Sequence, residues 1–159
     1  MEVEASVVGQ VAAARGKTLL IASRHDFGET PPVDVLLSWA KKAAELGDVV
    51  KIVTYAKKPR DGLRVLSLIG VVEKPTVAFA MGPAGAYTRV AAAALGSPIM
   101  YVSLGEATAP GQMTADAYYA TLLAIGASPA GEGLPHVSPV YAPAGGRGQA
   151  LYCTVGLSQ

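Results

Sequence analysis

Cysteine is nearly absent: Cys153 is the single one in 159 residues, which excludes an intrachain disulfide framework. With two histidines in the whole chain, no Cys/His spacing suits a closed zinc site, and no metal is expected. A reducing, cytosolic setting fits such a sequence. Charge of one sign is missing as well. Thirteen Lys plus Arg against twelve Asp plus Glu leave a formal charge of +1, too little to hold a nucleic acid or an acidic membrane by bulk electrostatics. An anionic ligand must therefore be met by individually placed side chains. No apolar run reaches membrane-spanning length, and the opening MEVEASVVGQ lacks the basic and apolar regions of a secretion signal, so the expectation is a cytoplasmic protein with no membrane partner. The glycines do not form a dinucleotide fingerprint after an initial strand, and there is no P-loop; MGPAG is a weak phosphate signal at most, and no cofactor is expected.

What the chain has is apolar bulk: 51% hydrophobic against 16% charged residues, enough for one substantial core. From Gly16 onward short apolar runs alternate with segments of helical periodicity, the pattern of parallel strands covered by crossover helices. Strands are expected at residues 18–22, 49–54, 76–80 and 99–103, and helices at 33–46, 60–69, 87–95 and 114–125, with Gly47 and Gly70 as stops. Residues 1–5 read as a shortened strand and 7–14 as its helix. This makes an α/β fold of parallel (β/α) units, about five of the eight that close a TIM barrel. After Gly126 the periodicity ends in SPAGEGLPHVSPVYAPAGGRGQ. Residues 1–126 are therefore read as the barrel domain and 127–159 as an irregular Pro/Gly-rich tail whose final ALYCTVGL suits a short edge strand.

The polar residues carry the chemistry. Lys51 stands in the middle of Val49–Val50–Lys51–Ile52–Val53, a run expected inside a parallel sheet, where lysine is rare. Two readings are open. Its stem can lie on apolar surface with the ammonium in water, or it is a desolvated amine that attacks a ketone and leaves an iminium to accept electrons. His25, in Ser23–Arg24–His25–Asp26–Phe27, can move protons in both directions for such a reaction; alternatively it bonds Asp26 or caps the next helix. Arg89, Thr108 and Gln112 follow later strands and so emerge at the C-terminal face where barrel sites lie. Arg89 can clamp a carboxylate, and Thr108 and Gln112 can orient hydroxyl and carboxylate oxygens, although capping or solvation accounts for each singly.

Together these blocks resemble the type I 3-dehydroquinate dehydratases: SRHDFGETPP is similar to the family's histidine loop, VVKIVTYAKKPRDGLRVL to its Schiff-base lysine strand, MGPAGAYTRVAAAALGS to its arginine segment and EATAPGQM to its closing loop. The resemblance covers residues 1–126. It implies that Lys51 forms an imine with the substrate ketone, that His25 moves the protons, that Arg89 pairs with the carboxylate of a small hydroxylated acid, and that Thr108 and Gln112 bind it from a closing loop. Met81 would line the pocket, Ser23 and Asp26 would shape the loop, and Glu4 resembles an acid at the end of an earlier strand. Thr108 replaces the family's usual serine, and Arg24 stands where the family is commonly neutral or aromatic. The family barrel has three earlier βα units, including a carboxylate that orients the histidine. Their absence makes a homodimer, or a separate chain supplying the missing barrel portion, the expected partner. The competing functions are an inactive barrel fragment with a binding or assembly role and another Schiff-base barrel enzyme.

Overall fold

The computed structural model describes residues 2–4, 16–107, 109–127, 136–140 and 150–156. Four strands, β1 (Glu2–Glu4), β2 (Ile21–His25), β3 (Val49–Tyr55) and β4 (Thr76–Met81), pair side by side in chain order, all parallel. Helix α1 (Val33–Leu46) connects β2 to β3, α2 (Pro59–Leu66) connects β3 to β4, and α3 (Tyr87–Ala94) follows β4 after a 3-10 turn at Pro83–Gly85. The expected helix between β1 and β2, at 7–14, lies outside the described residues.

Alternation along the strands divides the core in two. Ala22, Val50, Ile52, Ala78 and Ala80 are fully buried against Leu36, Ala40 and Ala43 of α1, Val65 of α2 and Leu68 just beyond it. The intervening residues form a second cluster on the opposite face: Val53, Val77, Phe79 and Met81 pack with Ile21, Val49 and Tyr55. Strand β5 (Ile99–Ser103) contributes Ile99 and Tyr101 to that same cluster, while its Met100 and Val102 pack with α3 and with α4 (Ala115–Ala124).

Beyond shifts of a residue at element ends, the structure departs from the sequence expectation in three places. Residues 18–20 are not part of the ladder: the Leu20 N–H donates to Asp48 Oδ2 at 2.8 Å, and its carbonyl accepts from the Asp48 and Val49 N–H groups. β2 instead runs on through Ser23–His25, which face Lys51–Val53 across the ladder. Helix α2 stops at Leu66 because the N–H groups of Leu68 and Ile69 bond to the carbonyls three residues back, a tighter turn than an α-helix. β5 is not hydrogen-bonded beside β4. Its neighbour is β7 (Ala150–Gly156), antiparallel, which pairs in turn with β6 (His136–Val140). The terminal strand was expected, whereas β6 lies in the stretch read as irregular.

Candidate active site

Register fixes which side chains share a face. Glu4 pairs with Ser23, Ser23 with Lys51 and Lys51 with Val77, so these four stand in one row; two residues on, His25, Val53 and Phe79 form the next. Both rows lie on the face away from α1 and α2. Lys51 is buried there, 6% exposed, with Nζ 4.0 Å from the centroid of the Tyr101 ring. Of the two open readings for Lys51, this burial suits the desolvated amine better than the solvated one.

His25 ends β2 at the C-terminal edge of the sheet. Its Nδ1 pairs with Oε1 of Glu4, and its ring stacks on Phe27 with centroids 5.7 Å apart and an interplanar angle of 12°. The edge and the face of the imidazole are therefore each held by a different group. The orienting carboxylate that the family resemblance places outside this chain has a counterpart here in Glu4. Sequence reasoning did not assign that role, because a three-residue strand gives almost no register from pattern alone. Asp26 does not bond His25 in any described contact; its Oδ1 accepts from the N–H groups of Gly28 and Glu29 at 2.9 and 3.0 Å, closing the turn after the histidine. Thr30 then ties this loop to β3 by a 2.8 Å hydroxyl contact with Thr54 and a 3.0 Å bond to the Tyr55 carbonyl.

Arg89 reaches the same face from α3. Its Cζ lies 4.4 Å from the Phe79 ring centroid, and Phe79 stands in the row of His25. The side chain is 2% exposed, and Nε has no hydrogen-bond partner among the described residues. Burial pushes the guanidinium pKa down to about 10, so it is still charged at neutral pH. A buried donor left unmet on a charged group is costly and is unusual in a purely structural role. Two features set its position. Gly82 takes φ +85°, a left-handed conformation at the exit of β4. Gly85 passes so close that a Cβ would lie 2.7 Å from the Ala80 carbonyl oxygen. The Thr88 hydroxyl closes the turn, accepting from the Ala80 N–H at 2.9 Å and donating to the Gly85 carbonyl at 2.6 Å.

The loop after β5 is pinned at both ends, since the Ser103 N–H donates to the Met113 carbonyl at 2.9 Å and the Ser103 hydroxyl bonds the Gly105 carbonyl at 3.1 Å. It leans on the exit of β4, where the Gly82 N–H donates to the Pro110 carbonyl at 3.3 Å. Gln112 belongs to this loop, its N–H bonded to the Ala109 carbonyl at 3.1 Å; Thr108 lies outside the described residues. Met81 is buried in the inner-face cluster. Arg24 points to the other side of the sheet and stacks 4.3 Å over Trp39, which explains how a charged residue fits at that position. Among the described residues no group of His, Cys, Asp and Glu is arranged to hold a metal, and no helix is long and apolar enough to cross a membrane.

Comparison with known proteins places these observations in a context. Residues 1–129 match the family model described as type I 3-dehydroquinase. A 3-dehydroquinate dehydratase of Pyrobaculum aerophilum is 78% identical over 135 residues, covering 85% of this chain and 45% of that protein. One from Methanothermobacter thermautotrophicus is 48% identical over 96 residues, 60% of this chain and 43% of its own length. The chain thus spans somewhat less than half the length of these curated relatives. Among solved structures, the 3-dehydroquinate dehydratase of Geobacillus kaustophilus is 29% identical with a TM-score of 0.70, over 78% of this chain and 52% of that one.

Proposed function

The chain belongs to the type I 3-dehydroquinase family, and from that premise we propose that it carries the imine-forming site of a 3-dehydroquinate dehydratase. The observation that carries this reading is a buried lysine on the same sheet face as a histidine whose Nδ1 is held by a carboxylate.

In the proposed sequence the Lys51 amine adds to the C3 ketone of 3-dehydroquinate and water leaves, giving a protonated imine. The cationic C=N draws electrons from the neighbouring carbon. His25 takes the C2 proton, and the C–H electron pair becomes the C=C bond of an enamine. His25 then returns that proton to the C1 hydroxyl, which leaves as water with the C1–O bonding pair while the C2–C3 π pair becomes the new C1–C2 double bond and the nitrogen lone pair restores the conjugated C=N bond. Addition of water to the imine releases 3-dehydroshikimate and regenerates the amine, so the net change is loss of one water. With Nδ1 directed at Glu4, Nε2 is the nitrogen assigned to proton exchange. Arg89 takes the carboxylate, bidentate where geometry allows, and Gln112 and Thr108 are assigned to substrate oxygens from the loop beside Gly82. The protein itself supplies every group this sequence uses, and the setting that suits it is the cytoplasm.

We also assign a protein partner. β1 has one hydrogen-bonded neighbour among the described strands, so its outer edge offers unpaired backbone groups. A second copy of this chain, or a chain supplying further βα units, would cover it. Light scattering on the purified chain decides this: a fully active monomer at micromolar concentration would count against a required partner.

The direct test of the chemistry is borohydride reduction in the presence of 3-dehydroquinate, followed by peptide mass spectrometry. Reduction fixes the imine as a stable secondary amine. The expected result is an adduct on the peptide containing Lys51 and none in Lys51→Ala; a folded wild-type chain, in its assembled form, that forms no adduct sinks the proposal.

A further inference from the structure

The loop after β5 and the turn after β4 touch through two glycines. In Ala109–Pro110–Gly111–Gln112, proline fills the second position, Gly111 takes φ +75° in the third, and the Gln112 N–H returns to the Ala109 carbonyl at 3.1 Å. This is the pattern of a type II turn, whose central carbonyl takes no part in the turn's own hydrogen bond. That carbonyl belongs to Pro110, and it accepts from the Gly82 N–H at 3.3 Å. A bond of that length is too weak to seat a loop by itself. Close packing does more. A Cβ at Gly111 would lie 2.8 Å from the Gly82 carbonyl oxygen and 3.4 Å from the Ala86 Cβ, and a Cβ at Gly82 would come 2.9 Å from Cζ of the Tyr55 ring. Neither glycine has room for a methyl group, so two backbones meet with no side chain between them.

What this contact joins gives it a function. Gly82 opens the turn that leads to Arg89, Gly111 precedes Gln112, and Tyr55 ends the strand that carries Lys51. Three segments bearing proposed site residues therefore meet at one place. A ligand gripped by two groups is held in a single pose only if those groups keep a fixed spacing. Arg89 is already tied to β4 through Thr88, so its distance from Gln112 depends on where the loop sits against Gly82.

We propose that Gly82 and Gly111 are positioning residues: their contact seats the loop on the arginine turn and sets the span between Arg89 and Gln112 to that of a carboxylate and a hydroxyl on one small acid. This rests on the roles proposed above for Arg89 and Gln112 and adds the element that fixes their spacing.

Two substitutions at 111, made in the full chain, separate the contact from the turn. Asparagine is accepted in the third position of a type II turn and alanine is strained there, but each places a Cβ against the Gly82 carbonyl. Both are expected to raise by about tenfold the 3-dehydroquinate concentration that half-saturates borohydride trapping at Lys51, leaving the adduct at saturation unchanged. Both are also expected to speed amide exchange at Gly82 by about tenfold in the protein without substrate. Gly105→Ala, in the same loop with nothing within 4 Å of the added methyl, is expected to match the wild type. If Gly111→Asn matches it too, the glycine serves the turn alone and the proposal is overturned. A joint fall in the saturating adduct and in the urea midpoint marks general damage and overturns it equally. The wild type offers a check that needs no variant to fold: the Gly82 and Gln112 amides are expected to exchange with one urea dependence, as parts of a single opening unit. Separate dependences mean that loop and turn move independently, which rejects the idea. Failure of trapping in the wild type with the exchange effect present counts against the imine reading alone.

Discussion

On the face of the sheet that the helices cover, Ala22, Val50, Ile52, Ala78 and Ala80 are all at 0% exposure and carry no polar atom in their side chains. One residue away along the same strands stand Ser23, His25, Lys51 and Phe79, with Arg89 and Tyr101 brought against them. The strands are shared, so the backbone cannot be the source of the contrast. It comes from the two-residue period, which lets one ladder hold the fold together on one side and present the groups proposed to react on the other. Stability and chemistry are written in alternate letters of the same segments, and neighbouring positions are expected to respond to substitution in opposite ways.

The largest effect expected in breaking that contrast is at Ile52. Truncation to alanine leaves a hole beneath α1 and costs about 2–5 kcal/mol by denaturant unfolding, while the borohydride adduct per folded molecule is unchanged. Arg89, on the reactive side, is expected to behave in reverse. Arg89→Met removes a desolvated charge with an unmet donor and raises stability by roughly 1–2 kcal/mol, yet it abolishes saturable binding of a carboxylate ligand measured by calorimetry. A stability loss at Arg89 would blur the division. The smallest effect belongs to a residue on neither face. Asp61 accepts from the Lys57 and Lys58 N–H groups, both at 3.0 Å, and from Arg64 Nη2 at 2.5 Å. Burial works to raise its carboxyl pKa, but the Lys58 and Lys57 N–H groups and the Arg64 guanidinium together hold it below the ordinary 3.8. The folded value lies under the unfolded one, so the stabilisation is complete above pH 3.8 and is lost as pH falls through the folded value. Asp61→Asn is expected to cost about 1 kcal/mol at neutral pH and to converge with the wild type in acid, which thermal melts across pH would show.

The helices were legible from sequence because their signals are local: α1 begins and ends where apolar spacing and Gly47 put it, and α3 and α4 differ from expectation by a residue at each altered end. Strand limits depend on partners that local sequence does not name. An apolar run at 18–20 reads as strand, yet Asp48 takes up the backbone groups of Leu20, and the ladder begins at Ile21. The antiparallel pairing of β5 with β7 is likewise a tertiary choice. At the site, Lys51 and His25 could be singled out because each is chemically conspicuous where it stands, whereas the Glu4 contact and the two rings could not. One signal was available for Phe79: counting by twos from Val77, which faces Lys51, reaches it directly. No such count leads to Tyr101, since β5 is not hydrogen-bonded to β4.

Thr88 fastens the first turn of α3 to the backbone of β4, and Arg89 is the next residue along. The guanidinium is consequently mounted on the sheet rather than carried by a segment that must first be ordered. Capture of an anion there is docking onto a fixed post, so its heat-capacity change should be the small one of two parts meeting that were already in place, without the larger signature of chain folding around a guest.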